Sequence, residues 1–217
     1  MAEKVIAKGT TLSEDVIDVI TYWFGANYWI KIQEDTFSYY DELWRKKWFS
    51  KEKDQVETDS YIKEHFSKTV ELALQGEYTE TWCGEHHSCL ALIILLDQFT
   101  RNIYRNNMKA WSGDKLALQI CLEAIDKGMD KKLSLFARCQ FYMPLIHAEN
   151  MEIQERCLAL YKEIVQESPP SVVEISKRFQ QVSLRHYNTI ATFGRYPERN
   201  KLLQRPSTRQ EAIYLSA

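Results

Sequence analysis

The stretch ALIILLDQFTRNIYRN (residues 91–106) decides how this chain is read. It opens as an unbroken apolar run and turns polar at Asp97, with Arg101 and Asn102 continuing the same apparent helix. At 3.6 residues per turn, positions 90, 93, 94, 97 and 101 share one face. Asp97 and Arg101 therefore extend the stripe set by Leu90, Ile93 and Ile94. Their i,i+4 spacing permits an ion pair. On an inward face such a pair needs further hydrogen bonds, since removing one partner of a buried pair costs ~3–5 kcal/mol. Three readings stay open: a brace between two helices, a pocket wall, or plain surface polarity.

Working outward, helical periodicity dominates. LSEDVIDVITYWFG offers Ser13 as an N-cap, acids in the first turn, a stripe of Val16, Ile17, Ile20, Trp23 and Phe24, and a Gly25 stop. Aromatics recur at three- and four-residue spacing from Phe37 to Trp48, and a third amphipathic segment begins at Tyr61 and closes at Gly76. The opening stretch belongs to a fourth helix over 89–105. After a loop around AWSGD, further helices are expected over 115–126, 133–147 (with Pro144 inside), 151–167 and 172–193. Gly194 ends the last of these, and Thr208 with Glu211 forms the capping-box pattern of a short terminal helix. About nine helices with short connections imply one all-α domain over residues 1–217, either a bundle or a TPR-like array of antiparallel pairs.

Composition agrees. The chain has 217 residues, 45% hydrophobic and 27% charged, and its seven glycines and five prolines are too few for a turn-rich β fold. A formal net charge of -2 without long runs of one sign gives no nucleic-acid footprint and no attraction to a membrane surface. The five cysteines are odd in number and scattered, which suits reduced thiols. The N-terminal stretch has no signal-peptide core, and the apolar run over 90–96 is too short to span a bilayer, so a cytoplasmic location is expected. The pattern specifies no oligomeric state.

Three segments read together: ALIILLDQFTRNIYRN, FYMPLIHAENMEIQER and RHYNTIATFGRYPERNKLL. They resemble the signature of a bacterial uncharacterised family, domain of unknown function 924, and the likeness runs from VITYWFG through KKWF to STRQEAIYL. The resemblance implies an all-helical TPR-like fold and supplies no activity. Two departures stand out. Thr100 replaces the proline of a DQFPRN pattern, which should let the helix run unkinked, and WCGEHHSC is not the usual approach to the fourth helix.

The second segment places His147 and Glu149 just past the kink expected at Pro144. A histidine beside an orienting carboxylate is the minimum equipment for acid–base chemistry. The bland alternative is a helix-terminal histidine, with Glu149 capping the next helix. In the third segment His186 shares a face with Ile190 and Phe193, and Arg195, Arg199 and Asn200 leave the loop after Gly194. With Arg101 and Asn102 they could clamp a carboxylate or phosphate, or pair with Asp97 and Glu149 instead. Cys83, His86, His87 and Cys89 are zinc-ligand types, but no second ligand pair comes after them at zinc-site spacing, so no metal and no cofactor is assigned. There is no G-x-S-x-G elbow, P-loop or G-x-G-x-x-G.

The preferred reading joins these segments into one inter-helix pocket. His147, Glu149, His186 and Asp97 are the candidate catalytic residues; Arg101, Asn102, Arg195, Arg199 and Asn200 would hold a small anionic ligand for hydrolysis or group transfer. The competing reading is a non-catalytic module that binds a peptide or protein partner, with a structural polar cluster and exposed aromatics such as Tyr39, Trp44 or Trp48 at work.

Overall fold

A computed structural model describes residues 12–29 and 37–216. The amino-terminal stretch read for a leader lies largely outside them. Among the described residues there is no strand, and the chain is all-α. Helix α1 (Glu14–Phe24) starts where Ser13 accepts the Val16 N–H and buries Val16, Val19, Ile20, Trp23 and Phe24. Helix α2 (Phe37–Leu43) runs into a π turn, Trp44–Trp48. Helix α3 (Glu52–Leu74) begins well before the expected Tyr61. Its first turn, Glu52, Lys53 and Asp54, is exposed and so carries no apolar stripe to announce it.

The decisive segment is not one regular helix. After the short α4 (Thr79–Trp82) it comprises the end of α5 (His86–Ile93), a π turn over Ile94–Phe99 and α6 (Thr100–Ile103). The helix does continue through Thr100, whose hydroxyl donates to the Leu96 carbonyl at 2.8 Å. It is nevertheless widened in the turn before it. Such single π turns concentrate at functional sites. Residues 89–97 are all 0% exposed, because α5 and this turn pack among α1, α3, α7 and α8. Each fully buried aliphatic there contributes ~1.5–3 kcal/mol. Asp97 thus sits at the end of the deepest stretch, and plain surface polarity is ruled out for it.

Helix α7 (Asp114–Asp126) comes after a 3₁₀ turn, Met108–Trp111. The expected 133–147 helix is split at Tyr142 into α8 (Leu135–Phe141) and α9 (Met143–Ile146), with Pro144 in the first turn of α9. A proline there has no N–H to lose. Helices α10 (Met151–Glu167) and α11 (Val173–Phe193) form the most extensive pairing. Ser183 meets Cys157 mid-helix and Ser176 meets Ser168 at the turn, so the two run antiparallel. Gly194 ends α11 in the left-handed region at φ 71°, and α12 (Arg209–Ser216) closes the chain.

The aromatics named for a partner surface are largely internal. Trp48 is buried and donates to the Trp23 carbonyl at 3.1 Å, while half-buried Trp44 stacks on Phe49. All five cysteines are free thiols. Among the described residues no helix is long and apolar enough to cross a membrane.

Candidate acid–base site

The π turn delivers Asp97 to the end of α9. His147 comes directly after the last residue of that helix, and its Nδ1 lies 2.8 Å from Asp97 Oδ1 and 3.1 Å from Oδ2. Gln98 Nε2 also donates to Asp97 Oδ2, and Arg101 Nη1 donates to Oδ1 at 3.2 Å and to the Asp97 carbonyl at 2.6 Å. Burial pushes the Asp97 carboxyl up, but Arg101 and His147 pull harder and hold it at about 2. Asp97 is therefore ionised and can only accept, so the proton of a neutral His147 sits on Nδ1. Burial, then the Arg101 guanidinium, push the imidazole below the usual histidine range. The result is a neutral ring with its lone pair on Nε2. That nitrogen bonds to no described residue, and the side chain keeps 13% exposure.

Backbone chemistry fixes this ring. At and just past the end of α9 the carbonyls run short of helical N–H partners, although that of Leu145 accepts the Ala148 N–H at 3.3 Å. Gln154 Nε2 donates to those of Leu145, Ile146 and Ala148, and the Tyr196 hydroxyl donates to that of Ile146. Arg199 Nη2 donates to the His147 carbonyl at 3.0 Å. The loop after Gly194 therefore clasps the helix end that carries His147.

A carboxylate that the sequence pattern places at a loop edge completes the cluster. Asp114 receives Arg101 through two bonds of 2.8 and 3.0 Å and Arg199 at 3.4 Å. Arg199 also lies over the rings of Tyr196 (4.7 Å) and Trp111 (5.5 Å). Asp114 opens α7 and so reads as an ordinary helix-start acid; its one further signal is Gly113 before it. A Cβ at Gly113 would lie 2.2 Å from the Leu96 carbonyl oxygen, so only glycine lets α7 start this close to the π turn.

The nominated residues sort into groups. Asp97, Arg101, His147 and Arg199 meet in one network. His186 adjoins it: its ring centroid is 6.2 Å from that of His147, and its Nδ1 is bound to the Val182 carbonyl at 2.8 Å. Glu149 accepts the Tyr196 N–H at 2.8 Å and both terminal nitrogens of Arg205, and does not pair with His147. Arg195 makes a two-point contact with Glu211, at 2.6 and 2.8 Å, that holds α12. Asn200, 1% exposed, bonds Ser207 and Arg205. Asn102 joins Arg105 on Asp59. A cleft of about 230 Å³, lined by Gly25, Tyr39, Glu42, Leu43, Lys46 and Lys47, shares no residue with the network.

Fold and site together define a class: an all-helical protein whose central helix widens to present a buried carboxylate to one imidazole and one guanidinium, with a second guanidinium on the main chain of that histidine. Residues 19–217 match the model of a family described as "Bacterial protein of unknown function (DUF924)", and the chain belongs to that family. It is similar to a solved structure titled "Structure of Protein of Unknown Function ATU0120 from Agrobacterium tumefaciens". That likeness has 28% identity and a TM-score of 0.73 and covers 92% of this chain and 96% of the other. No curated protein matches.

Proposed function

We propose that Asp97 and His147 form the general-base pair of an enzyme that hydrolyses, or transfers a group from, a small anionic substrate. One observation carries this reading: His147 Nδ1 is locked to a buried carboxylate while Nε2 bonds to no described residue in a partly open ring. A neutral imidazole so held takes a proton on Nε2, and the carboxylate stabilises the imidazolium that results. Arg199 supplies the substrate contact. Its Nε–H donates to no described residue, and its Nη2 is one hydrogen bond from the His147 main chain. Arg101 sets the position of Asp97 and Asp114: those two carboxylates and the Asp97 carbonyl occupy its terminal nitrogens.

That same occupation favours a second reading, in which the network only braces α9 and α7 against the π turn. The two separate in one experiment. Carboxylate and phosphate metabolites are screened for a melting shift, and activated carboxylic and phosphoric esters for turnover. General-base chemistry predicts turnover that His147→Asn removes while the fold persists. A brace predicts no turnover in any variant and a lower melting temperature only.

A further inference from the structure

The approach to the central helix holds a second cluster, unconnected to the first. Glu85, His86 and His87 each bring one donor atom into a group in which all three atoms lie within 4.8 Å of one another. His86 Nδ1 is 3.0 Å and His87 Nδ1 is 3.1 Å from the same Glu85 oxygen, Oε1. We infer that these three side chains form a binding site for one divalent transition-metal ion of the zinc type.

The spacing supports this. Donors 2.0–2.1 Å from a tetrahedral zinc stand about 3.3 Å apart. The two carboxylate–imidazole separations are within a few tenths of an ångström of that value. Two imidazoles and a carboxylate are also the donor set that borderline divalent ions prefer over calcium or magnesium. The carboxylate is preset: Glu85 caps α5, and its other oxygen accepts the Ser88 N–H at 2.7 Å and the Ser88 hydroxyl at 3.0 Å. Oε1 is left for the ion. The His87 ring is walled by Trp29 (5.3 Å) and Tyr28 (5.8 Å), and it lies 4.2 Å from the ring of His86. Side-chain exposures of 18–26% leave one side open, so the fourth position falls to water or an exogenous ligand.

The neighbouring thiols are not part of the group. Cys89 is 0% exposed in the core, and neither it nor Cys83 joins the three converging donors. The cysteine–histidine spacing in the sequence does not show this site, because its third donor is Glu85. On binding, each imidazole moves its Nδ1 proton to Nε2, or releases it if charged, so that both Nδ1 lone pairs face the ion. Lys132 is a charge near His86 that opposes the ion.

The test is titration of the untagged full-length chain with zinc chloride, monitored by calorimetry, and with cobalt(II), monitored by its visible absorption. One equivalent should bind saturably. His86→Ala, His87→Ala and Glu85→Gln should each weaken binding by more than the ~10–100-fold that loss of a merely supporting group causes. Glu85→Gln keeps a capping oxygen for Ser88, so it separates ligation from helix capping. His65→Ala, on the exposed face of α3, should bind as the parent does. Absence of saturable binding overturns the proposal. So does parental affinity in either histidine variant, or loss of binding in Cys83→Ser or Cys89→Ser.

Discussion

Gly113 approaches the main chain of Leu96 so closely that a methyl group on it would overlap the Leu96 carbonyl, 2.2 Å from the oxygen and 2.9 Å from the carbon. This contact joins the start of α7 to the π turn. It brings Asp114 to the two arginines that also reach Asp97 and the His147 carbonyl.

Gly113→Ala therefore forces backbone apart rather than bending a side chain. We expect ~1–3 kcal/mol of destabilisation, about 2–4 °C of melting temperature per kcal/mol in a chain of this size. Arg199 should also lose its carboxylate partner. Thermal melts check the first effect; an unchanged melting temperature would show that the contact is not enforced.

Stability should fall with acid in two steps. His147 and His186 are both held below the usual histidine range by burial, so the unfolded chain binds protons there first. Their contribution is complete above about pH 6.5 and is lost as pH falls below it. Asp97, held at about 2, contributes above roughly pH 4 and loses that contribution as pH falls toward 2. Urea melts of His147→Asn across pH 5–7 should show a shallower slope than the parent. Parallel curves would refute the assignment.

Arg195 holds the C-terminal helix and takes no part in the Asp97–His147 network. Its two bonds to Glu211 add to a capping box in which the Thr208 N–H donates to Glu211 Oε2 at 2.7 Å and the Glu211 N–H donates to Thr208 Oγ1 at 3.2 Å. Arg195→Ala should raise amide exchange over residues 209–216 and leave protection around His147 intact. Unchanged exchange in α12 would contradict this.

The proposed function makes Arg199 the anion contact. Arg199→Ala should abolish the melting shift produced by an anionic ligand, and Arg199→Lys should keep only part of it, because an ammonium cannot reproduce the planar fork between Tyr196 and Trp111. A parental shift in Arg199→Ala would remove this residue from the site.

Much of the fold was legible because it rests on local rules. Ser13 caps α1, Gly194 takes the left-handed stop, and Thr208 with Glu211 forms the reciprocal cap, each as the residue types require. The buried stripe of the fourth helix was equally plain. What escaped depends on packing. A π turn has no composition signal of its own, so Ile94–Phe99 read as ordinary helix. The polar start of α3 showed no apolar period. Arginine partners cannot be deduced from spacing across many turns, which is why Arg205 on Glu149 and Asp114 on Arg101 went unseen. Gly113 before Asp114 was the readable clue to the latter.

The most direct test of the central claim is the nitrogen-15 chemical shift of His147 at neutral pH. A base oriented by Asp97 requires a neutral ring with the proton on Nδ1 and an unprotonated Nε2, and a change in that pattern in Asp97→Asn. A proton on Nε2, or a doubly protonated ring at pH 7, would contradict it.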